Sequence, residues 1–263
     1  MPTKPKVEKR IRAVSYSRYA LYNECPLKCW LQHGEKIFDA SPSPAMDRGT
    51  GVHYMAAAYT SGKEPTVDKR DAARLAPYMP QIRQAAGGKL PKELATFKKE
   101  LAKVRKLGAA VVEQEWAFDI NWNPTTWFAM HGPTAAFLRV KVDLHYLTNK
   151  DTLLPIIDYK TGKVYKEKAS EQLELYGLAA LLMYPAVKLV QAALWYTDAG
   201  EAVPLEVKAE ELGKLKKLWI TRFKPILNDR RFAARPNANC RWCFYRKSNT
   251  ENNGTGRVLC EHG

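Results

Sequence analysis

The hydrophobic pattern changes period near residue 109, and this change limits the possible folds more than any other feature of the chain. Before it, apolar residues recur at helical spacing. In "SYSRYALYNECPLKCWLQH" these are Tyr16, Tyr19, Leu21, Tyr22, Trp30 and Leu31, with Pro26 starting a new turn or helix. "PAMDRGTGVHYMAAAYTSG" reads as a loop entering a helix, with His53 in its first turns. After it, "AAVVEQEWAFDI", "TAAFLRVKVDLHYLT" and "TLLPIIDYK" read as three strands in a row. A helix, "KASEQLELYGLAALLMYP", follows and closes at Pro185. Then come a strand "KLVQAALWYT", a turn "DAGE", a short strand "AVPLEV" and a basic helix "EELGKLKKLWITRFKPIL". Three strands before the first crossover helix exclude a strictly alternating nucleotide fold. They predict an α/β core with helices gathered around one sheet.

Residues 1–14 are expected to be a basic flexible arm and 15–263 a single domain. Within that domain, 62–108 forms a helical insertion or cap and 236–263 a cysteine-bearing C-terminal segment. The formal net charge is +15, concentrated in residues 4–12, 89–106 and 208–235. Such a surface suits a polyanionic partner. Aromatic residues among the cations, as in "RWCFYRK", suit phosphate contact with base stacking. "YGLAALLMY" is too short to span a membrane, and the basic start lacks the apolar run of a secretory signal, so the cytoplasm is expected. Five cysteines, an odd number, argue against a disulfide framework, and Cys240-x-x-Cys243 points to a metal or cluster.

The chemistry concentrates in "LLPIIDYKTGK". Asp158 and Lys160 are two residues apart and share one face of a strand. Asp143 sits on the preceding strand in "RVKVDLHYL". If the strands are neighbours, the two carboxylates converge, and paired carboxylates with open positions are what Mg²⁺ uses. A lysine beside such an ion can hold the attacking water or the developing negative charge. Other sites are excluded. "YKTGK" is not a phosphate-binding loop, because Ile157 holds the place of its first glycine and Val164 that of its hydroxyl. "RGTGVH" lacks the third glycine of a dinucleotide site, and there is no H-E-x-x-H or G-x-S-x-G.

Taken in order, the motifs resemble the PD-(D/E)XK nuclease superfamily. Asp143 followed by "DYK" resembles its acidic core, "RGTGVH" a histidine motif and "VVEQEWAF" the first core strand. "EQLELYGLA" resembles a Gln-x-x-x-Tyr helix. With "SYSRYALYNECPLKCWL" and "NCRWC", the set resembles the RecB-like branch, which includes CRISPR adaptation and AddB-type nucleases. The resemblance implies a restriction-endonuclease-like αβββαβ core, with a mixed sheet flanked by helices. It implies a deoxyribonuclease, an exonuclease using Mg²⁺ or Mn²⁺ in recombination, repair or phage genome processing, with a recombination or replication protein as a partner. By the resemblance, His53, Asp143, Asp158 and the Tyr159 carbonyl are metal ligands and Lys160 is catalytic. Gln172 and Tyr176 orient Lys160 or the scissile phosphate. Glu115 is the preferred strand glutamate, with Glu113 on the same face as its competitor and His145 as a rival ligand.

The resemblance also implies a [4Fe–4S] cluster on Cys25, Cys240, Cys243 and Cys260. Cys29 is a competing thiol, and the gap from Cys243 to Cys260 is longer than the pattern. Structural Zn²⁺ on Cys240, Cys243, Cys260 and His262 is the alternative, and unligated core cysteines are a third reading. A non-catalytic nucleic-acid-binding or scaffold protein is the competing function. The intact Asp, Asp, Lys, Gln and Tyr set speaks against it.

Overall fold

The computed structural model describes residues 10–39, 43–69, 71–148 and 150–262. Its helices are α1 (Tyr16–Glu24), α2 (Pro26–His33), α3 (Pro44–Ser61), α4 (Ala72–Leu75), α5 (Met79–Ala86), α6 (Lys98–Leu107), α7 (Lys166–Met183) and α8 (Leu212–Asn228). The strands are β1 (Val111–Phe118), β2 (Pro124–Thr125), β3 (Leu138–His145), β4 (Leu153–Lys160), β5 (Leu189–Tyr196) and β6 (Glu201–Lys208). They form one mixed sheet in the order β2-β1-β3-β4-β5-β6. Among these strands only the neighbours β4 and β5 run parallel, because α7 carries the chain across between them. The order read from the sequence holds, with the two-residue β2 added at the edge.

Two apolar layers cover the sheet. On one face, Leu154 and Ile156 of β4 and Val190, Ala192 and Leu194 of β5 pack against Leu173, Leu178 and Ala180 of α7 and Trp219 and Phe223 of α8. On the other face, Ile157, Tyr159 and Trp195 pack against Val52, Met55 and Ala56 of α3 and Leu94, Phe97 and Leu101 of the helical region. Phe97 stacks on Trp195 at 4.3 Å between ring centroids. The 62–108 region therefore supplies much of the second apolar layer.

Two expectations change. The first nine residues of the expected arm lie outside the described residues, but its end is not an arm. Ile11, Ala13 and Val14 are buried, and Val14 forms a parallel bridge to Leu138. Three apolar side chains in five residues outweigh the flanking charges. α3 also starts earlier than expected. Ser43 accepts a hydrogen bond from the Met46 N–H and Pro44 takes the first helical position, so His53 lies mid-helix.

Along β1 and β3 the alternation of faces slips at one point. Trp116, Val140 and Val142 pack on the α7 side, whereas Val112 and Leu144 pack on the α3 side. Between them lie Glu113 and Asp143, opposite each other in the register, and Glu113 has the left-handed φ of 53°. Both strands slip together, so the pairing resumes unchanged beyond them.

Gly177, next to Tyr176, lets α7 approach β6 closely. A Cβ there would sit 2.5 Å from Cγ2 of buried Val207. Gly177→Ala is expected to destabilise the protein by about 1–3 kcal/mol despite the better helix propensity of alanine, read as a lower urea midpoint at unchanged slope.

Candidate active site

β3 and β4 pair at Leu144/Ile157 and His145/Ile156. One step further along the same register, Asp143 lies across from Asp158, but there the ladder has ended. Instead of a strand carbonyl, the Asp143 carboxylate accepts the Tyr159 N–H, Oδ2 to N, at 2.8 Å. Lys160 gives its carbonyl to the Thr197 N–H beside β5, so by strand alternation the Tyr159 carbonyl faces the gap.

Around the gap three elements converge. From α3, His53 Nδ1 lies 3.1 Å from Asp143 Oδ2. From β1, Glu113 joins them. Among the described residues, His53, Glu113 and Asp143 are the group of His, Cys, Asp or Glu side chains whose ligand atoms all lie within 4.8 Å of one another. From α7, the Tyr176 hydroxyl donates to Asp158 Oδ1 at 2.5 Å, and Gln172 Nε2 donates to both, 2.7 Å to Tyr176 and 3.4 Å to Asp158. The four-residue helical spacing places both side chains on this carboxylate. Asp158 Oδ2 is buried and takes no part in the hydrogen bonds from α7. It meets the Lys160 Nζ at 2.5 Å.

The electrostatics describe a concentration of negative charge in search of cations. Burial first, and Asp158 second, push Asp143 above the usual carboxylate range, while His53 pulls the other way. Burial opposes a proton on His53, but Asp143, Asp158 and Glu113 together outweigh it and push it up to about 9. Burial likewise opposes charge on Lys160, and Asp158 overcomes it. Tyr176 stays a neutral donor, raised by burial and then by Asp158. On the rim, Lys141 Nζ pairs with Glu113 Oε2 at 2.6 Å.

A family model for the PD-(D/E)XK nuclease superfamily matches residues 13–248. The chain belongs to that superfamily. No curated protein matches it. Among solved structures it is similar to a crystal structure described as a "putative exonuclease" from Eubacterium rectale, at 11% identity and TM-score 0.49, covering 95% of this chain and 90% of that one. It is also similar to SSO0001, at 14% identity and TM-score 0.39, covering 90% and 85%.

Within this superfamily member, the sequence-derived residues distribute unevenly. His53, Asp143, Asp158, Lys160, Gln172 and Tyr176 come together. Glu113 stands in the ligand group, whereas the preferred Glu115 is exposed and pairs with Lys141 across the ladder. The left-handed turn of the backbone at Glu113 breaks the regular alternation on which the preference for Glu115 relies. Gln172 and Tyr176 engage Asp158; the expected partners were Lys160 or the phosphate. His145 belongs to the core: it meets the Tyr184 hydroxyl at 2.9 Å and the edge of Trp116, and burial lowers it to about 4.

The thiols gather at the opposite end of α1. Cys25, Cys240, Cys243 and Cys260 line one small pocket together with His262. Tyr19 and Tyr22 dock the N-terminal helix pair on Trp219 and Phe232, which brings Cys25 to the C-terminal segment. The Arg235 N–H points at Cys25 Sγ (3.5 Å) and the Asn237 N–H at Cys240 Sγ (3.3 Å). Cys29 stands apart, fully buried, with burial raising its thiol to about 12.

His53 supplies a pH test. A histidine raised from 6.5 to about 9 contributes stability that is fully present below pH 6.5 and is lost as pH rises through 9. In EDTA, the wild type is expected to exceed His53→Gln in urea stability at pH 6, with the gap closing by pH 10.

Proposed function

We propose that the protein is a metal-dependent DNA nuclease, an exonuclease in DNA recombination, repair or phage genome processing. The observation that carries this reading is the facing pair Asp143 and Asp158 at the parted strands. His53 and Glu113 are gathered on the first, and a buried oxygen of the second is met by the Lys160 ammonium. This donor set fits a divalent cation: carboxylates, one imidazole and the Tyr159 carbonyl, with positively charged side chains neutralising it in the ion's absence. Mg²⁺ or Mn²⁺ held there would supply a water of lowered pKa and charge stabilisation for the phosphate.

The protein's own groups do the rest. Tyr176 and Gln172 hold Asp158 by one oxygen, and the other carries only the Lys160 ammonium, which a cation could displace. The Tyr159 N–H fixes Asp143 from the backbone, so neither carboxylate needs to reorganise. Lys160 is charged and anchored beside Asp158. From there it can orient the attacking water or meet the charge building on a phosphate oxygen. A non-catalytic binding protein would have no use for a buried carboxylate pair that repels its ligand.

Asp158→Ala and Lys160→Ala should each lower Mg²⁺- or Mn²⁺-dependent DNA cleavage by about 10²–10⁴-fold while DNA binding persists. Glu113→Gln should cost more activity than Glu115→Gln. Metal-dependent cleavage surviving both of the first two substitutions would sink the assignment.

For the thiols, we propose a structural [4Fe–4S] cluster on Cys25, Cys240, Cys243 and Cys260. Two N–H···S contacts suit thiolate ligands. Tetrahedral zinc holds its sulfurs about 3.8 Å apart, given Zn–S bonds of about 2.3 Å. Among the described residues no three of these thiols lie within 4.8 Å of one another, which favours the larger cluster. Anaerobically purified protein should be brown, with broad visible absorption lost in Cys243→Ser. Colourless protein carrying stoichiometric zinc would support the alternative.

A further inference from the structure

One cleft leaves the active site and a second adjoins it, and both are lined by cations. The first, about 560 Å³, begins at Lys160, Gln172 and Tyr176 and reaches Arg18, Trp127 and Arg139. The second, about 420 Å³, continues from the same Arg18 and Arg139 to Arg10, Arg12 and Lys36. Neither has a carboxylate among its lining residues. The acid that acts on Arg139, Glu115, lies on the neighbouring strand β1.

Such crowding costs stability unless an anion shares the site. Arg18 and Arg139 are both half-buried, and each has its charge disfavoured, by burial first. Arg18 also repels Lys36 and His33, and burial and these neighbours together lower His33 to about 4. Arg139 Nε is buried without a hydrogen-bond partner, and its guanidinium lies 5.6 Å over the Trp127 ring. No carboxylate forms an ion pair with Arg18 or Arg139 among the described residues. Folding holds these charges together through backbone contacts: Arg18 donates to the Ala13 carbonyl at 2.7 Å, and Val14 bridges to Leu138, next to Arg139.

Resting on the nuclease reading above, we propose that this line of cations is a track for one strand of DNA, along Arg18, Arg139, Lys36, Arg12 and Arg10. It would hold the phosphates on one side of the bond being cut, with Trp127 beside the first base. A single backbone can reach down to the half-buried Arg18 and Arg139 as well as the exposed Arg10, Arg12 and Lys36, whereas a duplex presents its phosphates on a wide convex surface. Stacking on an aromatic side chain alongside a basic groove is the usual chemistry of single-strand binding. The clefts are of nucleotide size.

The test is binding of labelled oligo-dT of about 12 nucleotides, and of a blunt duplex of equal length, over a salt series in EDTA where no hydrolysis occurs. For Arg12→Gln/Lys36→Gln/Arg139→Gln, single-strand affinity should fall about tenfold or more. The slope of log K against log salt should shrink by about 2, given about 0.7 for each phosphate that is no longer neutralised. Duplex binding should change much less. Unchanged affinity and slope, or an equal loss on the duplex, would overturn the track. If the triple variant fails to fold by circular dichroism, Lys36→Glu, at an exposed position outside regular structure, reads the same slope alone. Because no step requires cleavage, a failed track and a failed nuclease assignment are told apart: the second shows as cleavage surviving Asp158→Ala and Lys160→Ala.

Discussion

The site depends on one substitution of bonding partners: at the point where β3 and β4 part, a side-chain carboxylate takes the place of a strand carbonyl. Asp143 accepts the Tyr159 N–H that a continued ladder would have satisfied. A backbone donor buried in a sheet must find an acceptor. Here the acceptor is a charged one, and the strands can separate without leaving that N–H orphaned. The gap that opens leaves the Tyr159 carbonyl and the Asp158 carboxylate facing it. The same hydrogen bond thus preserves the sheet and holds one of its two acids in place.

The charges around that gap are balanced by the protein itself. Two buried carboxylates facing each other would repel strongly at low dielectric. His53, Lys160 and Lys141 stand against Asp143, Asp158 and Glu113 respectively. The hydrogen bonds from Tyr176 and Gln172 are neutral, so they orient Asp158 without consuming its charge. On the nuclease reading proposed above, a divalent cation would meet side chains already aimed, and the proton on His53 is the component it would displace. Further out, the Arg18–Arg139 pair extends positive charge away from the acids. The field therefore changes sign between the acids and the cleft that adjoins them.

Much of this is legible in the residues. The change of hydrophobic period identifies the three strands and the crossover helix, because strand and helix bury apolar side chains at different intervals. The D-x-K spacing puts Asp158 and Lys160 on one face, and the i, i+4 spacing puts Gln172 and Tyr176 on another. Glu113 is where this reasoning misleads. Both glutamates share a face on a regular strand, and only a left-handed φ of 53° at Glu113, opposite Asp143, separates their fates. No local signal announces that turn. The sequence places His53 near a helix start because "RGTG" looks like a loop, whereas Ser43 and Pro44 already begin the helix. The assembly of Cys25 with three thiols from the far end of the chain follows from resemblance, and spacing does not reveal it.

The sequence alone determined which elements form, their order, and which residue types carry chemistry, since these follow from periodicity, capping and spacing over a few residues. Tertiary structure decided which of those residues meet. The face slip shared by β1 and β3 selected Glu113, and the parting of β3 from β4 aimed Asp143. The docking of residues 10–18 beside Leu138 brought Arg18 to Arg139. Each of these is a contact between segments far apart in the chain. Such contacts are set by packing and hydrogen-bond satisfaction across the whole sheet, which no local stretch of sequence encodes.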